Sequence, residues 1–162
     1  MAGSGLISDG AFTAMAQSIF TNHRAHLSYA GEETVNGRKA LRYRFDIPLS
    51  MSHRTIGALG VSETVGSAGS FWADATTWDV PRVSYAAVDL PGWLNNRSLE
   101  QSIEYTRVRI GERVVLLPAT TEMRTELLSG EVYDNRAVFS NCQEYGSQST
   151  ITFGAEEPAI GK

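Results

Sequence analysis

The chain has 162 residues, of which 42% are hydrophobic, 20% charged and 9% aromatic, with a formal net charge of −4. This length suits one domain that folds without a disulfide or metal, and the composition excludes collagen-like, disulfide-rich and strongly disordered chains. The sequence has no apolar stretch of about 18 residues, and its basic residues are spread singly, so neither a transmembrane segment nor a nucleic-acid partner is expected.

The first predicted element is an amphipathic helix over about residues 9–21. Ser8 has the position of an N-cap, with Ile7 before it. The helix is expected to end at Asn22. Apolar residues recur at the i, i+3, i+4, i+7 and i+8 positions of one face, namely Phe12, Met15, Ala16, Ile19 and Phe20. A helix with this stripe has to pack on an apolar surface.

The first two strands are predicted around a tight hairpin. The segment 25–35 leads into Asn36-Gly37, a pair that favours the type I′ turn. After the turn, Leu41, Tyr43, Phe45 and Ile47 alternate with polar residues, which is typical of a half-buried antiparallel strand. Pro48 ends that strand or places it at an edge.

The rest of the chain to about residue 153 is predicted to continue as an antiparallel meander. The predicted strands and their connections are 52–61, 62–74, a turn at 74–77, 80–89, a loop at 90–96, 99–110, 113–128, 131–145 and 149–153. In 113–128, Val115, Leu117 and Met123 are predicted to share one face, with Glu122, Arg124 and Glu126 on the other. Residues 155–162 have no pattern and are expected to be frayed.

These elements predict a single α+β domain over residues 1–162, mainly β. Because the strands follow in hairpin order without crossover helices, the sheet has to be antiparallel. A long sheet with one apolar face is expected to curl, which predicts a half-barrel of about eight or nine strands with the N-terminal helix on its concave face. A closed barrel is the second choice.

The usual catalytic signatures are absent from the sequence, which has no nucleophile elbow, phosphate-binding loop or paired cysteines. Gly66-Ser67-Ala68-Gly69-Ser70 lacks the Lys of a phosphate loop, and a bend or close contact explains its small residues more simply. His23, His26 and His53 lack a metal-ligand spacing, and Cys142 is expected to be a buried, inert thiol. No metal, cofactor or catalytic residue is predicted.

The charged residues favour a solvated sheet surface. Glu104, Glu122 and Glu126 alternate beside Arg, which predicts cross-strand ion pairs rather than an acid–base pair. The pairs Arg42/Arg44 and Arg107/Arg109 are typical of the wet side of a strand, and they would form an anion-binding strip only if their strands pair.

The aromatic content suggests a different kind of site. If several aromatic side chains face the concave side, one helix cannot cover them all, and the uncovered part would be an apolar cavity. The ligand of such a cavity would be a hydrophobic small molecule or an acyl chain. The residues predicted to line it are Phe12, Ile19, Tyr43, Phe45, Val115, Leu117 and Met123.

The segment 69–83, with its aromatic pair Phe71-Trp72, an Asp, a Thr-containing turn and a returning Arg-Val, resembles a hairpin of the LolA/LolB type of lipoprotein carrier. It is still closer to uncharacterised exported proteins of soil bacteria such as the Acidobacteria, which have stretches similar to 103–111, 116–118 and 139–145. The resemblance covers about residues 25–153. It implies a curved half-barrel with a helix on its concave side, a periplasmic or secreted location, and a cavity for acyl chains.

The first residues, Met-Ala-Gly-Ser-Gly-Leu-Ile, have neither the basic region nor the apolar core of an export signal. We therefore expect either a cytoplasmic chain or an exported one whose signal has been removed. The leading hypothesis is a non-enzymatic exported module that binds a lipid or another hydrophobic ligand. The alternatives are a structural or interaction domain of a larger exported protein and, third, an enzyme with a lone acid or base in a β-cavity.

Overall fold

A computed structural model describes residues 11–21, 23–58 and 60–140 of the chain. The described part is mainly β, with one α-helix and nine strands. The elements in chain order are α1 (Ala11–Phe20), β1 (His26–Val35), β2 (Arg38–Ile47), β3 (Thr55–Ala58), β4 (Val61–Thr64), β5 (Gly66–Asp74), β6 (Arg82–Val88), β7 (Asn96–Ile110), β8 (Arg113–Leu127) and β9 (Val132–Val138).

Seven of these strands form one antiparallel sheet in the order β1-β2-β5-β6-β7-β8-β9, and β3 and β4 pair separately. Since β1 and β9 are its outer members and do not pair with each other, the sheet stays open. The predicted fold class, an α+β protein with a large open antiparallel sheet and one helix, is confirmed, and the closed barrel is not formed. No helix in the described part is long and apolar enough to cross a bilayer.

The hairpin between β1 and β2 follows from its two turn residues. Asn36 and Gly37 have φ angles of 50° and 75°, the pair of positive values that a type I′ turn requires. Beyond the turn, Phe45 and Ile47 are buried and Arg44 is exposed. The predicted turn and the predicted alternation are both confirmed.

The two faces of the main sheet differ sharply in chemistry. On the face that we call the helix face, Ile19 of α1 packs with Phe45, Phe71, Val83 and Ile103 in the main core. On the opposite face, which we call the outer face, register places a row of mostly charged residues side by side, namely Arg42, Trp72, Arg82 and Glu104. The helix therefore covers part of the apolar face and leaves the charged face to water.

Residues 52–64 differ from the prediction of two further strands in the meander. Thr55–Ala58 and Val61–Thr64 form a short hairpin of their own, outside the main sheet. The main sheet continues instead from β2 directly to β5. The predicted start of the helix, the strand at 149–153 and the frayed end at 155–162 lie outside the described residues.

An extra residue in β8 changes the face on which its side chains lie. Glu104 pairs with Thr120 and the next residue, Tyr105, pairs with Pro118, so Ala119 is a bulge. On one side of the bulge Met123 pairs with Gln101, and on the other Leu117 pairs with Thr106.

Because paired residues share a face, this register decides where the predicted ligand residues point. Met123 is on the helix face, whereas Val115 and Leu117 are on the outer face and Leu116 takes the helix-face position between them. The prediction that Val115, Leu117 and Met123 share a face is wrong, since it assumed unbroken alternation.

Gly69 allows β5 and β6 to approach closely, and this contact provides a test of the fold. A Cβ at Gly69 would lie 2.7 Å from Tyr85 Cα and would also collide with Ser84 O, both of which are backbone atoms. We expect Gly69→Ala to lower the free energy of unfolding by about 1–3 kcal/mol, as overpacking does. Gly92→Ala is the matched control, because nothing lies within 4 Å of its added Cβ. Equal unfolding midpoints in urea for both variants would contradict the β5–β6 register.

Candidate functional site

Part of the helix face remains exposed beside α1. Trp78 is 66% exposed and Tyr29 is 58% exposed, and Phe20 and Leu27 next to them are also exposed. A cluster of large apolar side chains in water costs hydrophobic free energy and usually marks a contact surface. This exposed cluster is the candidate site.

Aromatic rings form a continuous wall across β1, β2 and β5. Tyr29 meets Tyr43 edge-on, with the ring centroids 5.6 Å apart, and Tyr43 stacks on Phe71 at 5.2 Å. Phe20 of α1 closes on Phe71 edge-on at 4.8 Å. These are favourable aromatic geometries, so the wall is held in place by its own contacts.

Two clefts lie along this wall. The first, which we call the tyrosine cleft, has a volume of about 410 Å³ and is lined mainly by Leu27, Tyr29, Tyr43 and Phe71. The second, the helix cleft, has a volume of about 340 Å³ and is lined mainly by Met15, Ile19, Val83, Tyr105 and Leu116. Phe20, Trp78 and Val80 line both clefts, so the two adjoin.

A tight turn after β5 positions Trp78 between the two clefts. Asp74 Oδ1 accepts hydrogen bonds from the backbone N–H groups of Thr76 and Thr77, at 2.9 and 2.8 Å. The N–H of Trp78 donates to Asp74 O at 3.0 Å, and Arg38 Nε lies 2.7 Å from Asp74 Oδ2. The carboxylate thus fixes the turn and the backbone of Trp78.

One ion pair borders the helix cleft. Arg107 Nε donates to Asp79 Oδ2 at 2.6 Å, and Asp79 lines the cleft. This hydrogen bond is the main reason that the pKa of Asp79 lies below its usual value. Because its charge is neutralised by Arg107, the carboxylate does not make the cleft acidic.

The seven predicted ligand residues are distributed over several environments. Tyr43 lines the tyrosine cleft and Ile19 lines the helix cleft. Phe45 and Ile19 are each 3% exposed, so both belong mainly to the core. Met123 borders a polar groove, Val115 and Leu117 lie on the outer face, and the side chain of Phe12 lies outside the described part.

Several residues that line the clefts are not among those predicted from the sequence. Leu27 and Tyr29 are at alternate positions of β1, a period-2 signal that could have marked them. Leu116 was hidden by the bulge at Ala119. Trp78 directly follows the turn predicted at 74–77. Its position on the helix face depends on the backbone angles of that turn, which the sequence pattern does not predict.

The outer face carries ion pairs, as predicted for a solvated sheet. Arg82 pairs with Glu104, Arg136 Nε lies 3.4 Å from Glu122 Oε1, and Arg97 Nη1 lies 3.1 Å from Glu126 Oε1. Each of these carboxylates therefore has an arginine partner from a neighbouring strand, although Glu104 Oε2 is buried without a hydrogen-bond partner.

An anion-binding strip was expected only if the strand of Arg42/Arg44 paired with the strand of Arg107/Arg109. This strip does not form. β5 and β6 lie between β2 and β7, so the two strands are not paired. In addition, Arg42 is on the outer face, whereas Arg107 alternates with Tyr105 of the helix face.

The described residues contain no group of three His, Cys, Asp or Glu side chains that could hold a metal ion. Cys142 lies outside the described part. No protein-family model, curated protein or solved structure matches the chain. The apolar clefts are thus the feature from which a function has to be inferred.

The turn that holds Trp78 should make stability depend on acid. Hydrogen bonds from the Thr77 and Thr76 N–H groups hold the pKa of Asp74 below its usual value. A lowered folded-state pKa adds stability above the unfolded value of about 3.9, and this stability is lost as the pH falls through the folded value.

We therefore expect Asp74→Asn to be less stable than the wild type at neutral pH and to lose less stability as the pH falls from about 5 to about 2. Urea denaturation at a series of pH values measures this difference. Parallel stability curves for the two proteins over that range would contradict the assigned role of Asp74.

Proposed function

We propose that this domain binds an apolar, lipid-like ligand, without catalysis, in the two adjoining clefts of the helix face. The observation that carries the proposal is the exposed aromatic surface around Trp78, which lines both clefts at once. An apolar surface exposed beside a cleft is typical of a place where a hydrophobic molecule binds.

The size and lining of the clefts support an apolar ligand. Their volumes of about 410 and 340 Å³ fall within the range of about 300–1,000 Å³ that is typical of small-molecule sites. The lining of the tyrosine cleft includes no charged side chain, and the one carboxylate of the helix cleft, Asp79, is paired with Arg107. A charged or strongly polar ligand would therefore lose hydration without gaining partners.

An acyl chain is the ligand that best suits this arrangement. A flexible chain of methylene groups can follow the wall from Tyr29 past Trp78 to Leu116, and each buried methylene contributes about 0.8 kcal/mol. The resemblance to lipoprotein carriers predicts the same ligand class and a periplasmic or secreted location, and both belong to the proposal.

Trp78 provides the sharpest test, because the chain offers a matched tryptophan. Trp93 is also exposed, but its Nε1 donates to Glu63 Oε2 at 2.8 Å and it lines neither cleft. We expect Trp78→Ala to weaken binding of the neutral fluorophore N-phenyl-1-naphthylamine by about tenfold or more, given the apolar area that an indole contributes. Trp93→Ala should bind as the wild type does.

The measurement is a fluorescence titration, followed by competition with 1-dodecanol. Absence of fluorophore binding by the wild type, or equal weakening by the two substitutions, would contradict the proposal. The first of these results would favour the alternative, an interaction domain whose exposed aromatic surface meets another protein.

A second test uses two neighbouring leucines on opposite faces of β8. Leu116 lines the helix cleft, while Leu117, paired with Thr106, is on the outer face. We expect Leu116→Ala to weaken 1-dodecanol binding several-fold, since about three carbon atoms leave the cleft wall. Leu117→Ala should leave the affinity unchanged, and the opposite ranking in a competition titration would show that the ligand binds elsewhere.

A further inference from the structure

Arg54 occupies an unusual position at the other end of the helix face. Its guanidinium lies over the ring of Tyr85, 4.9 Å from the centroid, and its Nη1 donates to Ser67 Oγ at 3.4 Å. Ser67 and Ala73 are six residues apart on β5, so this position is about 20 Å from the Trp78 end of the strand. Arg54 is therefore separate from the two clefts.

The charge of Arg54 has no negative partner in the described part of the chain. Seven other arginines there form ion pairs with Asp or Glu, and Arg54 forms none. Four more arginines, namely Arg24, Arg44, Arg109 and Arg113, also form no ion pair in these ranges. The last three are exposed to water, and Arg24, although half-buried, lies over no aromatic ring of the described part. Arg54 is half-buried, and its burial lowers the pKa of the guanidinium.

The neighbours of Arg54 cannot supply the missing charge. Burial raises the pKa of Tyr85 to about 12, so its hydroxyl stays neutral at physiological pH. That hydroxyl donates to Gln101 Oε1 at 2.7 Å, and Ser67 is neutral as well. A guanidinium does not lose its proton in a protein, so the ring of Tyr85 and the hydroxyl of Ser67 stabilise the charge only in part and no negative charge neutralises it.

The backbone of Arg54 is fixed at both of its polar groups. Its N–H donates to Ser52 Oγ at 3.1 Å, and its carbonyl oxygen accepts from the N–H of Val65 at 2.9 Å. On the other side, Gln101 Nε2 donates to the buried Thr121 Oγ1 at 3.2 Å, which anchors the partner of Tyr85. The cation is therefore held in place, whereas most of its N–H donors have no acceptor among the described residues.

We propose that Arg54, supported by Ser67 and Tyr85, is the cationic element of an oxyanion-binding site on the helix face. The ligand group is a carboxylate or a phosphate, because both accept two parallel hydrogen bonds from a planar guanidinium. The group comes either from a small free anion or from the head of an amphiphile. The proposal does not rest on ligand binding in the two clefts.

Calorimetric titration with three probes separates these sources. Inorganic phosphate represents the free anion, decanoate an anionic amphiphile, and 1-decanol the same chain without charge. We expect Arg54→Gln to weaken binding of at least one of the two anions by about tenfold or more, as loss of a charge-assisted hydrogen bond does, and to leave 1-decanol unaffected. Arg44→Gln, which removes an exposed arginine of the outer face, should leave all three affinities unchanged.

Loss of phosphate binding in Arg54→Gln assigns the site to free oxyanions, and loss of decanoate binding alone assigns it to the head group of an amphiphile. Wild-type affinity of Arg54→Gln for both anions, or decanoate affinity no greater than that of 1-decanol together with no phosphate binding, overturns the proposal. Trp78→Ala should leave phosphate binding intact, so that failure of the cleft proposal is distinguished from failure of this one.

A measurement on the wild type covers the case in which Arg54→Gln does not fold. The amide resonances of Ser67 and Tyr85 should shift on addition of phosphate at constant ionic strength, and Arg54→Lys, which keeps the charge but loses the planar fork, should bind more weakly than the wild type. Unchanged resonances with both phosphate and decanoate overturn the proposal without any variant.

Discussion

The organisation of this domain depends on a mismatch between one short helix and a wide sheet. α1 has ten residues and is about 15 Å long, whereas seven strands about 4.8 Å apart span roughly 29 Å. Ile19 shields the centre of the helix face, where Phe45 and Ile103 are buried, but the side nearer to Tyr29 stays exposed. Since apolar burial drives folding, the uncovered area is surface on which a ligand can gain the same free energy.

Ion pairs and stacked guanidinium groups cover much of the outer face. Trp72 is 6% exposed, lies between the guanidinium groups of Arg42 and Arg82, and donates from Nε1 to Glu33 Oε2 at 2.8 Å. This hydrogen bond, with that from Arg42, holds the pKa of Glu33 below its usual value. Such exposed pairs add little stability, and their main effect is to cover an indole and fix the register. The two faces thus differ, since the exposed aromatic cluster around Trp78 lies on the helix face alone.

Local patterns predicted the parts of the fold that local physics decides. The positive φ angles of Asn36-Gly37 and the alternation through Phe45 depend on a few neighbouring residues, so the sequence predicts both. The bulge at Ala119 depends on how β8 meets β7, and one extra residue there reversed the faces of Val115 and Leu117. We therefore predicted from the sequence that the helix leaves an apolar area uncovered. Most of the residues that line this area were not predicted.

The backbone conformation and the exposure of Trp78 do not contribute to the stability of the fold. Its φ of 62° is a left-handed conformation, which costs a non-glycine residue about 1 kcal/mol or more, and its side chain is 66% exposed. Glycine or asparagine would adopt the same conformation at a lower cost. The Asp74 hydrogen bonds to Thr76 and Thr77 hold the strained turn in place. An indole exposed to water at such a backbone cost gains its hydrophobic free energy only when something covers it, which favours a binding role for this end of the helix face.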